Sequence, residues 1–209
     1  MNLVFLGPPG AGKGTQAEIV CKALNIPHIS TGDMFRKAMR EGTPTGLEAK
    51  AYIDQGKLVP DSVTIAMVKE RLSEDDCKNG YLLDGFPRDL HQAEALAEFS
   101  QLDAVVNIAV ADERLIDRLS GRRFCPKCNG TFHVSIIGDA KACPNCGAEL
   151  VQRADDNPAT IANRLSVYHA QTSPLTAYYA NKGLLKEVNG DLPMEEVSAA
   201  ILKALAVEV

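Results

Sequence analysis

The sequence predicts an α/β fold with a parallel sheet flanked by helices, on three observations. The apolar run "LVFLG" (Leu3 to Gly7) has the length of a buried strand. It leads through a glycine-rich turn into a helical pattern from about Lys13 to Leu24, with Ala17, Val20 and Leu24 on one face. Two more strand-like runs, "YLLD" (Tyr81 to Asp84) and "DAVVNIAV" (Asp103 to Val110), recur between helical segments, as in a parallel sheet. The turn after the first run has the spacing Gly7-x4-Gly12-Lys13, a phosphate-loop pattern in its required context between strand and helix.

The remaining elements follow in order. Asp112 caps "DERLIDRL", a helix expected to bury Leu115, Ile116 and Leu119. Asn157 and Pro158 suit the N-cap and first position of a long helix, "PATIANRLSVYHA". "LLKEV" (Leu184 to Val188) reads as a late strand, and Pro193 starts a closing helix that buries Val197, Ile201 and Leu205. Two segments break the alternation: a helical stretch punctuated by Gly42, Pro44, Gly46 and Gly56, and a cysteine-containing stretch. Both read as insertions, leaving a core of residues 1–29, 60–121 and 158–209, a helical insertion of 30–59 and a cysteine insertion of 122–157.

The chain has 209 residues, 45% hydrophobic and 23% charged, enough for one substantial core. Its 22 Lys plus Arg against 27 Asp plus Glu give a net charge of -5, which argues against non-specific nucleic-acid binding. The N-terminal run has no basic leader and is too short for a signal-peptide core. No run approaches the ~20 apolar residues of a membrane span. A cytoplasmic protein, monomeric and without a membrane partner, is expected.

The glycines of "GPPGAGKGT" (Gly7 to Thr15) let successive backbone N–H groups and a helix N-terminus face an anion, and Lys13 adds a mobile charge for β and γ phosphates. Gly10, Ala11, Gly12, Lys13, Gly14 and Thr15 are therefore the candidate triphosphate contacts. The hydroxyl of Thr15 comes one place later than in the general motif, which weakens its claim to magnesium. Asp84, at the end of an apolar strand, is the acidic partner for Mg2+ or its waters, or else a simple strand-end cap. A guanine reader of the form Asn-Lys-x-Asp is missing, because Asn181-Lys182 is followed by Gly183-Leu184.

In "GRRFCPKCNG" (Gly121 to Gly130) two arginines abut a Cys-x-x-Cys pair, and a second pair follows at Cys143 and Cys146. The pairs are separated by 14 residues, one short of the common lower bound for a zinc ribbon. Four thiolates would fill a tetrahedral Zn2+ site and leave no open position, so the metal should be structural. Disulfides and iron are the alternatives. The insertion's few large apolar residues, chiefly Phe132, Val134, Ile136 and Ile137, leave rigidity to the metal. A nucleic-acid ribbon would need more than Lys127, Lys141, His133 and Phe132 between the first and last cysteine. Cys21 and Cys77 stand alone and read as buried thiols.

"STGDMFR" (Ser30 to Arg36), "GKLVPD" (Gly56 to Asp61), "LLDGFPR" (Leu82 to Arg88) and "GRR" (Gly121 to Arg123) resemble the nucleoside monophosphate kinases. With "QRADD" (Gln152 to Asp156) and "NRLSVYH" (Asn163 to His169) the chain is similar to long-lid, zinc-binding bacterial adenylate kinases, over essentially its whole length. The resemblance implies a P-loop core, an AMP-binding insertion and a mobile lid, with Mg·ATP, AMP and ADP as ligands. It places Lys13, Arg88, Arg122, Arg153 and Arg164 on phosphates and Arg118 on the adenine or phosphates of ATP. Thr31, Arg36, Gly85 and Gln92 would bind AMP, with backbone around Lys57 and Val59.

Such a reaction needs many arginines, since two polyanions must meet around a transferring phosphoryl and the protein supplies positioning and positive charge. Solvated salt bridges are the bland alternative: Arg114 and Arg118 are spaced i,i+4 on an acidic helix, and Arg153 precedes Asp155 and Asp156. The ordered motifs favour phosphate for Arg36, Arg88, Arg122, Arg153 and Arg164 and leave Arg114 in a salt bridge. Gln92 either closes a capping box with Asp89 or pairs with adenine. His28, His91, His133 and His169 read as structural or exposed.

Overall fold

The computed structural model describes residues 1–206. Five parallel strands form the sheet: β1 (Asn2–Leu6), β2 (His28–Ser30), β3 (Tyr81–Asp84), β4 (Ala104–Ala109) and, after two strands outside it, β7 (Leu185–Asn189). Their spatial order is β2-β3-β1-β4-β7. Side chains alternate along each strand, so one face takes Leu3, Phe5, Leu82, Val106 and Ile108 and the other Val4, Leu6, Leu83 and Val105. The first face packs on α1 (Lys13–Leu24) and α10 (Met194–Ala204), the second on α4 (Asp61–Leu72), α5 (Leu90–Phe99) and α9 (Leu175–Asn181). Cover on both faces explains the near-continuous apolar strands. Cys21 and Cys77 are buried thiols, as their isolation in the sequence suggests.

The helical stretch between β2 and α4 is two helices, α2 (Thr31–Glu41) and α3 (Pro44–Ile53), around their own small cluster of Phe35, Ala49 and Val59. Ser30 caps α2 by accepting from Asp33 N, and Thr43 caps α3 by accepting from Gly46 N. A Cβ at Gly46 would overlap the Ala38 carbonyl, so glycine lets the two helices touch. The cysteine segment holds β5 (Arg122–Phe124) antiparallel to β6 (Thr131–His133), then the short α7 (Val134–Ile137).

Three sequence expectations need correction. Ile116, on α6 (Asp112–Ser120), is exposed while Leu115 and Leu119 are buried, because the i,i+4 pair faces the core and Ile116 points away. Asp112 is the first helical residue, after the cap Ala111, and pairs with His169. The helix opened by Pro158 runs as α8 (Pro158–Val167) and then widens into a π turn, Tyr168–Thr172. The three-residue β2 is too short to show a period in the sequence.

Candidate active site

The site lies where β1 and β3 end. The phosphate loop leaves β1, and Gly12, at φ 91°, turns the chain into α1. Only glycine takes that conformation freely. No side chain caps α1, so its first N–H groups stay available to an anion. Lys13 folds back on the loop, donating to the carbonyls of Gly7 at 2.7 Å and Pro8 at 3.0 Å. Burial pulls its ammonium down to about 8; Asp84 opposes this, and Arg88, Arg164 and Arg122 add to it.

Asp84 stands beside this loop, one oxygen 3.8 Å from where a Cβ on Gly14 would lie. Burial alone would raise its carboxyl, but His28, Lys13 and Arg88 outweigh burial and hold it below the usual range. His28 Nε2 is 3.5 Å from Asp84 Oδ2, an ion-pair contact without hydrogen-bond geometry. An ionised carboxylate at the mouth of a phosphate loop is a donor set suited to magnesium held partly through water.

Five arginines converge on the same place. Arg88 donates through Nε to Gly85 O at 2.7 Å, and Thr31 Oγ1 donates to that carbonyl at 2.8 Å. Arg122 grips Asp156 with Nε at 2.8 Å and Nη2 at 2.6 Å. Arg164 reaches Asp156 at 2.8 Å and Asp155 at 3.0 Å. Arg36 pairs with Asp33 at 2.6 Å. Among the described residues Arg153 pairs with no acid: its Nε is buried without a partner there, and its guanidinium lies 4.6 Å from the centre of the Phe124 ring. Burial, then Arg122 and Arg36, pull Arg153 down to about 9 against Asp33 and Asp155. Arg88 and Arg164 are lowered first by burial, and their arginine neighbours add to it. Six cations thus face the four carboxylates Asp33, Asp84, Asp155 and Asp156, an arrangement that is stabilised by an incoming polyanion.

The other expected contacts have the following surroundings. Gln92 is buried with its amide spent inside the protein: Oε1 accepts from Arg88 N at 2.9 Å and Nε2 donates to Asp61 Oδ1 at 2.8 Å. Asp89 caps α5 by accepting from Gln92 N at 2.8 Å, so only half of a capping box forms. Val59 sits in the α2–α3 cluster and Lys57 is exposed. Arg118 donates to Gly190 O at 3.0 Å, and Arg114 pairs with Asp191 as its bland reading expects. Gly10 packs on Leu119 and Ala11 is buried, so both shape the loop.

The sequence does not single out Asp33, Asp61 or Phe124, and it offers His28 only as structural or exposed. Asp33, three residues before Arg36, was the detectable one, by its i,i+3 spacing on a helix. The sequence offers Asp155 and Asp156 as partners for Arg153, whereas in the structure Asp155 takes Arg164 and Asp156 takes Arg122 and Arg164.

The four paired cysteines converge, with all their sulfurs within 4.8 Å of one another. Cys125 to Cys146 is 3.5 Å and Cys128 to Cys143 is 3.6 Å. Four sulfurs at about 2.3 Å from a tetrahedral zinc lie about 3.8 Å apart, and a disulfide needs about 2.05 Å. The set fits zinc.

Among the described residues no helix is long and apolar enough to cross a membrane. A family model described as adenylate kinase matches residues 5–184. The adenylate kinase of Desulforudis audaxviator is 54% identical over 98% of this chain and 99% of its own. Those of a Geobacillus species and of Carboxydothermus hydrogenoformans are each 55% identical over 98% of this chain, covering 98% and 99% of their own lengths. With a phosphate loop, an ionised aspartate and a converging set of arginines in place, a match of this extent shows that the chain belongs to the adenylate kinase family.

Proposed function

We propose that this site carries out the reaction of its family, Mg·ATP + AMP ⇌ 2 ADP, with the arginine cluster gathered around the transferring phosphoryl. The observation that carries the proposal is the excess of six partly buried cations, Lys13 and the five arginines, over four carboxylates at the mouth of the phosphate loop. The loop residues Gly10 to Thr15 and the start of α1 receive the ATP phosphates, with Arg118 and Arg122 on the same nucleotide. Thr31, Arg36, Lys57, Val59, Gly85, Arg88 and Gln92 line the AMP side, and Arg153 and Arg164 reach both. Lys13 and the arginines hold donor and acceptor in line and balance charge that spreads over the equatorial oxygens; no general base is required. Magnesium, when bound with ATP through Asp84 and water, neutralises the β and γ oxygens.

The chain divides into a core (1–29, 60–121, 158–209), an AMP-binding insertion (30–59) and a zinc-binding lid (122–157). Supporting this division, the two insertions have hydrophobic clusters separate from the sheet's. They approach each other where Arg36 comes within 5.9 Å of the Phe124 ring. Closure of both segments over the nucleotides would exclude the water that otherwise takes the phosphoryl group. Zn2+ on Cys125, Cys128, Cys143 and Cys146 would be structural. We read the protein as a cytoplasmic monomer without nucleic-acid or membrane partners, on its acidic net charge and its unpaired buried thiols.

A coupled ADP-formation assay with ATP, magnesium and each of AMP, CMP, UMP and GMP tests the proposal. Rapid ADP formation with AMP is expected. Folded protein that hydrolyses ATP but makes no ADP from AMP would overturn it.

A further inference from the structure

We infer that Phe124 is a positioning residue for phosphoryl transfer, its ring holding Arg153 in place of a carboxylate and tying the cysteine segment to the helical insertion through Arg36. The inference rests on the reading of Arg153 and Arg36 as phosphate contacts.

The ring is fixed by its backbone. Phe124 N donates to Val151 O at 2.7 Å and Val151 N returns to Phe124 O at 2.8 Å, while β6 pairs on its other side. Phe124 is 4% exposed. Two residues beyond Val151 the chain reaches Arg153, so the ladder sets this guanidinium over the ring at 4.6 Å. Its neighbouring acids are taken: Asp156 by Arg122 and Arg164, Asp155 by Arg164. Arg122 and Arg36 repel it. A buried cation in this position needs some negative potential, and the face of an aromatic ring supplies it without neutralising the charge. An acid would compete with substrate phosphate; a ring does not. The same ring lies 5.9 Å from Arg36, whose own acid is Asp33. One side chain therefore orients two arginines carried by different segments.

Phe124→Leu keeps an apolar filler and removes the quadrupole, and Phe124→Tyr keeps the ring. For Leu, kcat/KM for AMP should fall by about five- to thirtyfold, with zinc content retained and the protein still folded. Tyr should stay within about twofold of the parent. The Arg153 Nε–H proton, shifted by the ring current, should move in Leu and not in Tyr. Leu indistinguishable from the parent, Tyr falling as far as Leu, or an Arg153 resonance unmoved in Leu would each overturn the inference. Parent turnover in the same series reports on the kinase reading alone, while the resonance reports on the Phe124–Arg153 contact whether or not turnover is seen.

Discussion

Asp156, wholly shielded from solvent, is held by Arg122 through both carboxylate oxygens, at 2.8 and 2.6 Å. It also accepts from Arg164 at 2.8 Å. Arg122 opens the cysteine segment and Asp156 closes it, so one buried ion pair joins the two strands of chain on which that segment stands. Removing one partner of a buried pair leaves an uncompensated charge, a loss of about 3–5 kcal/mol. Asp156→Asn, which preserves shape, should therefore lower the thermal midpoint clearly and cut kcat at least about tenfold as Arg122 and Arg164 lose their fixed positions. Calorimetry and ADP-formation kinetics check this, and a variant matching the parent in both would make the pair a bystander.

Lys13 sets a pH dependence of definite sign. Its folded pKa, about 8, lies below its ordinary 10.5. Between these values the unfolded chain binds more protons, so the nucleotide-free protein gains stability as pH rises through that window, by about 3 kcal/mol at most from this group. Phosphate pairs with the ammonium and removes the depression, so ATP binding near pH 8 should draw in about half a proton. Titration calorimetry in buffers of different ionisation enthalpy reads this directly. The uptake should vanish in Lys13→Met, which should also lose nearly all turnover while remaining folded. Equal heats in all buffers would contradict it. On the acid side Asp33, Asp84 and Asp155 are held below their ordinary values, so the stability they add is present above about 4 and lost as pH falls further.

Residues whose placement follows from chain-local chemistry are legible: the phosphate loop, Asp84 at a strand end, the two cysteine pairs and the Asn157-Pro158 helix start. What the sequence hid were choices between partners distant in the chain. Nothing local says that Asp156 will turn from Arg153, three residues away, to Arg122 and Arg164, or that a phenylalanine will take the place left. Gln92 shows the same limit. Its spacing from Asp89 announces a capping box, but its carbonyl goes to Arg88 N and its amino group to Asp61, a residue 31 positions earlier.

That use of Gln92 bears on acceptor choice. Its two amide groups already have partners, so pairing with adenine exchanges one hydrogen-bond set for another, whereas a base of different donor pattern offers no matching set for that exchange. AMP should surpass CMP and UMP in kcat/KM by about two orders of magnitude or more. Gln92→Ala should erode that preference. Equal kcat/KM for AMP and CMP in the parent, or an unchanged preference in Gln92→Ala, would remove Gln92 from the AMP site.

The zinc assignment gives the last prediction. The cluster of Cys125, Cys143 and Leu150 has only partly buried Phe132, Ile137, Cys146 and Ala148 around it, and Ile136, a nominal core residue in the sequence, is 85% exposed. So small a core cannot by itself offset the entropy of ordering the segment, and a metal closing four ligands can. The clasp begins one residue after Phe124, and its second pair is followed by Leu150, Val151 and Arg153, so a bound ion would fix the frame that carries Arg122 and Arg153. Purified protein should contain about one zinc per chain, and Cys143→Ser or chelation should lower the stability of the segment markedly while reducing phosphoryl transfer at low temperature only modestly. Elemental analysis, a thermal melt and an assay at low temperature decide between roles. Unchanged melting without metal would refute a structural site; complete loss of activity in a still-folded, metal-free protein would make the metal catalytic, against the closed four-sulfur geometry.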